Sequence, residues 1–155
     1  MLEPGATVES FTLSDHTDTP VRWDDFRGAP VAVFFYPKAS TPGCTTEACA
    51  FRDLTPEFDA IGVKLIGMSA DSVKRQSNFS TKYELTMPLL SDPDRVVLNA
   101  WGVWGQKQMY GKTYEGIIRS TFLFDADGVV HKAWPKVRVK GHAEDVLEAA
   151  KALAT

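Results

Sequence analysis

Cysteine is scarce in this chain of 155 residues, which contains only Cys44 and Cys49. A small secreted domain held together by disulfides would use more cysteines and spread them more widely, so two neighbouring cysteines favour redox or metal chemistry in a reducing compartment. An excess of one charge is also missing, because 17 Lys and Arg face 20 Asp and Glu and leave a net charge of −3. Without a basic excess, the sequence predicts no nucleic-acid partner.

Long apolar runs are absent as well. No stretch approaches the ~18 consecutive apolar residues of a membrane-spanning helix, so we expect no membrane partner. Residues 1–5 lack the basic and apolar regions of a secretory signal, which predicts a cytoplasmic protein. No repeat or Gly/Ser-rich linker divides the chain, and its length suits a single domain over residues 1–155.

The apolar pattern predicts strands that alternate with helices. Buried strands are predicted at 31–36 and 63–69, and a hairpin of strands 120–124 and 129–134 turns at Asp127-Gly128. Four segments with apolar residues three or four positions apart are predicted to be helices: 44–61, 72–83, 92–101 and 141–153. Pro93 is predicted in the first turn of the third helix, where its missing N–H costs nothing. This order indicates an α/β fold with a central mixed β-sheet flanked by helices, which a thioredoxin-like arrangement satisfies.

Residues 36–49 join a buried strand to a helix and contain both cysteines. Ligands of open α/β folds bind beyond the carboxyl ends of the strands, and the unpaired N–H groups of a helix start favour a thiolate. Cys44 is therefore a candidate reactive cysteine, with a small buried residue as the alternative. Thr41 is placed to cap the helix or to reach into a pocket. Glu47 is predicted in the first turn, where an acid suits the helix dipole.

The spacing of the two cysteines constrains how they can react. On one intact helix their Cα atoms would lie roughly 8.6 Å apart, from five steps of about 1.5 Å rise and a net rotation of ~140°. A disulfide needs Cα atoms within about 7 Å. Cys44 and Cys49 can therefore bond only if the first turns of the helix unwind, which helix ends do at low free-energy cost. The alternative for Cys49 is an ordinary core position.

The same segment resembles the peroxiredoxins, and in particular the peroxiredoxin Q group, also called bacterioferritin comigratory protein. The family element Pro-x-x-x-Thr/Ser-x-x-Cys matches Pro37, Thr41 and Cys44. Residues 110–122 are similar to the second hallmark segment of the group, which carries an active-site arginine, here Arg119. The sequence departs from many relatives at Ala39-Ser40, where they have acidic residues. The resemblance covers nearly the whole chain and implies a thioredoxin-like peroxiredoxin fold.

This resemblance implies a thiol-dependent peroxidase that reduces hydrogen peroxide and organic hydroperoxides in antioxidant defence. Cys44 would be the peroxidatic cysteine that becomes a sulfenic acid, and Cys49 the resolving cysteine that forms an intramolecular disulfide. Thioredoxin or a glutaredoxin would then reduce the protein, which is expected to be a monomer without metal or cofactor. The expected catalytic set also includes Thr41, Arg119 and Pro37, and the expected pocket consists of Tyr36, Pro42, Gly43 and Glu47.

Two other functions fit parts of the sequence. A disulfide oxidoreductase of the thioredoxin type normally carries Cys-x-x-Cys, whereas four residues separate the cysteines here. A metal-binding or redox-regulated interaction module is the other alternative, but two cysteines make a poor zinc site when His16, His131 and His142 are scattered.

An aromatic-rich segment precedes Arg119 and is predicted to be a loop. It either packs over the core or walls the peroxide pocket, where it would favour organic hydroperoxides. Its large side chains are those of Trp101, Trp104, Met109 and Tyr110.

Overall fold

A mixed β-sheet lies at the centre of the computed structural model, which describes residues 1–154 apart from the side chain of Met109. In chain order the strands are β1 (Thr12–Asp15), β2 (Pro20–Arg22), β3 (Val31–Phe35), β4 (Lys64–Ser69), β5 (Leu89–Ser91), β6 (Trp104–Met109), β7 (Lys112–Ile117), β8 (Ser120–Phe124) and β9 (Val130–Trp134). Seven strands form the main sheet in the order β2-β1-β5-β4-β3-β8-β9, and β6 pairs with β7 in a separate antiparallel hairpin. Strands β3, β4 and β5 are parallel, whereas the other neighbours are antiparallel.

Helices cover both faces of the main sheet. They are α1 (Pro42–Ala60), α2 (Val73–Lys82), α3 (Val96–Ala100) and α4 (His142–Ala154), with a short 3-10 helix at Trp23–Phe26. None of the helices described within residues 1–154 has the length and apolarity needed to cross a bilayer. The predicted mixed sheet flanked by helices is confirmed.

Strand β3 explains why the sheet is covered on both sides. All five of its residues are buried, and successive side chains point to opposite faces. Phe34 belongs to the apolar cluster that includes Phe51 of α1 and Val146 of α4. Phe35 belongs to the cluster on the other face, with Trp101 at the end of α3. A strand buried on both faces gives the continuous apolar run that the sequence contains.

The third predicted helix is wrong at its start. Pro93 lies in a turn, and α3 begins only at Val96, because Arg95 has a left-handed backbone with φ of 61°. The Asp92 carboxylate still caps the helix from a distance, since it accepts the N–H groups of Val96 at 3.0 Å and Leu98 at 2.9 Å.

The aromatic segment before Arg119 is not a loop but the β6–β7 hairpin. Tyr110 and Gly111 form its tight turn, with φ of 53° and 76°, which matches the positive φ at both central residues of a type I′ turn. Trp101 lies in the core, Trp104 is half-buried on β6, and Tyr110 is exposed at the tip. The Met109 side chain lies outside the described part of the structure.

Candidate active site

The segment between β3 and α1 lies at the carboxyl edge of the parallel strands. Its backbone turns at Ser40, which has φ of 65°, and becomes extended at Thr41, with φ of −79° and ψ of 157°. Helix α1 then begins at Pro42, a position where proline is tolerated because the first helical N–H groups have no intrahelical acceptor. The loop therefore delivers Cys44 into the first turn of a helix.

Cys44 lies directly beneath the protein surface. Its side chain is only 1% exposed, whereas Pro42 and Gly43 immediately before it are exposed. The Nη2 atom of Arg119 donates a hydrogen bond to its Sγ atom at 3.3 Å. A Cβ on residue 43 would lie 3.2 Å from that same nitrogen, so the glycine leaves room for the guanidinium above the thiol.

Arg119 connects Cys44 to a second acidic group. It lies between β7 and β8, and its Nη1 atom donates to Glu47 Oε1 at 2.7 Å. Burial alone would lower the pKa of Arg119, but the charges of Glu47 and Cys44 outweigh burial and raise the pKa above its ordinary value. The arginine is therefore a fixed cation between two groups that can become anions.

Glu47 lies in the second turn of α1, so the prediction that it occupies the first turn is wrong. The cause is the helix start at Pro42, two residues before the predicted start at Cys44. Glu47 is 1% exposed, and its Oε2 atom has no hydrogen-bond partner among the described residues. Burial raises the pKa of Glu47 to about 7, although the nearby charge of Arg119 acts to lower it. This acid is part of a buried charge cluster and not an exposed complement to the helix dipole.

Thr41 is the N-cap residue of α1, and its carbonyl oxygen accepts the N–H of Thr45 at 2.8 Å, but the predicted capping by its hydroxyl is wrong. Its hydroxyl donates to the carbonyl oxygen of Lys38 at 2.7 Å and no side-chain capping bond is formed. Because Thr41 turns back onto its own loop, the hydroxyl helps to hold the loop that precedes Cys44.

Tyr36 is fully buried and lies in the core rather than at the wall of an open pocket. Its hydroxyl donates to Gln76 Oε1 at 2.5 Å, and burial raises its pKa far above the ordinary value, so the phenol stays neutral. Cys49 is half-buried, and both cysteines are free thiols in an intact α1. Pro37 lies half-buried where the loop begins.

Sequence reasoning missed Asp71, which follows β4 and accepts a hydrogen bond from the loop between β3 and α1. Its Oδ2 atom accepts the N–H of Ala39 at 2.7 Å and the hydroxyl of Ser69 at 2.7 Å. Gln76 donates to Ser69 Oγ at 3.0 Å and so links these hydrogen bonds to Tyr36. An aspartate just after a buried strand is the only sequence signal, and it does not reveal which N–H it accepts.

Sequence reasoning also missed Lys107 on β6. Burial, followed by the charge of Arg119, lowers the pKa of Lys107, although the charge of Cys44 acts to raise it. Its ammonium donates to the carbonyl oxygen of Ile117 at 2.9 Å. No group of three or more His, Cys, Asp or Glu residues that could hold a metal ion occurs in the described part of the chain.

Known proteins with similar sequences share nearly the whole chain. The model of the AhpC/TSA family matches residues 4–133. A putative peroxiredoxin of Mycobacterium tuberculosis is 50% identical over 141 residues, which cover 91% of this chain and 90% of that protein. The chain belongs to the AhpC/TSA family.

Solved structures of peroxiredoxins have the same fold. The bacterioferritin comigratory protein of Xanthomonas campestris, studied for its alkyl peroxide reduction activity, superposes with a TM-score of 0.89 at 47% identity, covering 94% of this chain and 92% of that one. A peroxiredoxin Q of Xylella fastidiosa superposes with a TM-score of 0.95 at 36% identity, covering 100% and 99%. These findings confirm the resemblance to the peroxiredoxin Q group and the thioredoxin-like fold, and they support peroxidase activity for this peroxiredoxin.

Proposed function

We propose that this protein is a thiol-dependent peroxidase in which Cys44 reduces hydrogen peroxide and organic hydroperoxides. The observation that carries the proposal is the 3.3 Å hydrogen bond from Arg119 Nη2 to Cys44 Sγ at the start of α1. A guanidinium beside a sulfur at a helix N-terminus is an environment that favours the thiolate, which is the nucleophilic form of cysteine. The X. campestris relative, whose structures concern alkyl peroxide reduction, supports organic hydroperoxides as substrates here.

The first step forms a sulfur–oxygen bond and breaks the oxygen–oxygen bond of the peroxide. The Cys44 thiolate supplies the electron pair and becomes a sulfenic acid, while the departing oxygen takes a proton and leaves as water or an alcohol. Arg119 stabilises the thiolate and the negative charge that develops on the departing oxygen. Thr41, the loop from Pro37, and the free N–H groups at the start of α1 orient the peroxide, and Pro42 and Gly43 shield the sulfur.

The planar fork of Arg119 is important because two of its nitrogens are used at once. Nη1 binds Glu47 while Nη2 faces Cys44, so the ion pair fixes the direction of the second nitrogen. A lysine would present one flexible ammonium and could not keep this two-point geometry.

Cys49 resolves the sulfenic acid in the second step. Its thiol attacks Cys44, a disulfide forms and water leaves. Because an intact α1 keeps the two Cα atoms too far apart for a disulfide, the turns between Cys44 and Cys49 unwind first. An external dithiol of the thioredoxin or glutaredoxin type then reduces the bond by exchange.

The proposal also covers the cellular location and the oligomeric state of the protein. Free thiols that must be reduced again after each turnover suit the cytoplasm. A resolving cysteine in the same chain needs no second subunit, so the proposed active form is a monomer with a single domain over residues 1–155.

Stopped-flow measurement of peroxide consumption with Cys44→Ser and Cys49→Ser variants tests the two roles. Cys44→Ser is expected to abolish the reaction, because Cys44 is the thiol that accepts the hydrogen bond from Arg119. Cys49→Ser is expected to keep the first turnover and then to require a small added thiol. Equal loss of the first turnover in both variants would contradict the assignment.

A further inference from the structure

A cleft of about 530 Å³ opens beside the loop that leads to Cys44. Pro37 forms one side of it, and the rings of Trp104 and Tyr114 of the hairpin contribute apolar surface. Its size falls within the range of roughly 300–1,000 Å³ that is usual for small-molecule sites. It is larger than hydrogen peroxide requires, so it has room for the carbon chain of an organic hydroperoxide.

Lys107 is a charged residue of this cleft to which the proposed mechanism assigns no role. It lies on β6 opposite Tyr114 of β7, and its side chain crosses β7 to place Nζ 2.9 Å from the Ile117 carbonyl oxygen. A Cβ on residue 116 would lie 3.3 Å from Lys107 Cδ. Gly116 therefore leaves space for the lysine side chain, which is half-buried as a result.

The Lys107 ammonium lacks a carboxylate partner among the residues that the structure describes, since none of their ion pairs includes it. An ammonium has three donors, and the one bond found goes to a backbone carbonyl. Burial, followed by the charge of Arg119, lowers the pKa of Lys107 because both disfavour the charged ammonium. An anion bound beside Lys107 would stabilise that charged form.

The other charged groups of the cleft leave it with an excess of positive charge. Lys38, Arg75 and Lys107 line it, as do the carboxylates of Asp71 and Glu115. Asp71 already accepts hydrogen bonds from the loop and lies 3.8 Å from Arg75. Glu115 is exposed to solvent. Lys107 is thus the half-buried cation that remains for a ligand.

We propose that Lys107 is a specificity-determining residue that binds the carboxylate of an organic hydroperoxide whose apolar chain lies in this cleft. A single ammonium matches a singly charged carboxylate, and the apolar walls match a short alkyl chain. Pro37 lines the cleft and begins the loop that presents Cys44, so a ligand in the cleft lies beside the proposed reactive cysteine. The inference therefore rests on the proposed peroxidase function.

The test compares the terminal hydroperoxide of hexanoic acid with its methyl ester, which differ in charge but hardly in size. We expect the ratio of kcat/KM for the acid to that for the ester to fall about tenfold in Lys107→Met, mainly through KM, because a charge-assisted hydrogen bond is lost. Lys107→Arg should restore most of the ratio. Lys112→Met is the matched control, since Lys112 is an exposed lysine of the same hairpin, and it should leave the ratio unchanged.

The inference would be overturned if Lys107→Met lost activity toward the acid and the ester to the same extent. Lys107 would then only support the hairpin or the thiolate. A second measurement separates this result from failure of the peroxidase proposal. Hydroxyhexanoic acid, the expected product, is titrated by calorimetry into Cys44→Ser with and without Lys107→Met. If the wild-type protein consumes no peroxide while product binding to Cys44→Ser depends on Lys107, the site is supported and the peroxidase is refuted. If the wild-type protein is an active peroxidase and Cys44→Ser binds the product equally with and without Lys107→Met, the site alone is refuted.

Discussion

Burial and an ion pair act in opposite directions on the carboxyl group of Glu47. Desolvation favours the protonated acid, whereas Arg119 at 2.7 Å favours the carboxylate. Burial prevails, and the pKa rises from the ordinary 4.5 to about 7. Between these two values the folded protein keeps a proton that the unfolded chain has released. The contribution of Glu47 to stability is therefore fully present below pH 4.5 and is lost as the pH rises through about 7.

Glu47→Gln is expected to remove this loss, because the amide stays neutral and can still accept a hydrogen bond from Arg119. Relative to the wild type, the free energy of unfolding of the variant should rise by about 1 to 3 kcal/mol between pH 5 and 8. Urea unfolding at several pH values measures it. His142, whose pKa burial lowers to about 4, has the opposite slope at lower pH, but it is present in both proteins and cancels in the difference.

Glu57→Gln is the matched control for this change, because Glu57 is an exposed acid on the same helix. Its unfolding free energy should follow that of the wild type across the range. A Glu47→Gln variant that does the same would show that the buried acid is ionised throughout.

Single residues divide into those that a local motif reveals and those that only the fold reveals. Pro37, Thr41 and Cys44 fall within eight consecutive positions, so their spacing alone locates them. Arg119 is found through a second motif. Asp71 and Lys107 have no such signal, because their roles depend on a loop N–H and a carbonyl that tertiary structure brings to them.

Helix α1 contains both cysteines, with Glu47 between them. Closing a Cys44–Cys49 disulfide must open roughly two turns of this helix, because the intact spacing is too long. Opening them also draws Glu47 away from Arg119, so the charge cluster and the first turns are lost together.

Oxidation with one equivalent of peroxide is therefore expected to reduce the far-UV circular dichroism signal at helical wavelengths by the equivalent of about two turns. Cys49→Ser provides the control, since it can form the sulfenic acid but not the disulfide and should retain its helicity. An unchanged spectrum in the oxidised wild type, or the same loss in Cys49→Ser, would rule out disulfide-driven unwinding.

Short elements were the ones that periodicity could not find. Strands β2 and β5 have three residues each, which is too short for an alternating pattern to emerge. The β6–β7 hairpin has longer strands, but its aromatic residues favour the prediction of a packed loop. The Tyr110-Gly111 turn is therefore not predicted. In contrast, β3, β4 and β8 were predicted to within one residue because tertiary burial on both faces gives an uninterrupted apolar run.

The whole molecule depends on two apolar clusters that the main sheet separates. Gly67 of β4 marks a point where the packing leaves no free space. A Cβ there would lie 2.8 Å from Leu89 Cδ2 and 2.9 Å from Phe34 Cζ. Both neighbours are fully buried, so neither can move without disturbing the cluster.

Gly67→Ala is accordingly expected to lower the free energy of unfolding by about 1–3 kcal/mol, the usual cost of an extra methyl group in a filled core. Equilibrium urea unfolding followed by tryptophan fluorescence measures it. A variant as stable as the wild type would mean that Phe34 or Leu89 adopts another rotamer at no cost.

The hydrogen bond between Arg119 and Cys44 joins residues 75 positions apart in the chain. A polypeptide still leaving the ribosome has made its cysteine long before its arginine, and strand β8 has not yet paired with β3. Until synthesis and folding bring the guanidinium into place, the sulfur lacks the hydrogen bond on which the proposed mechanism depends. Under that mechanism the nascent chain reacts with peroxide more slowly than the finished molecule.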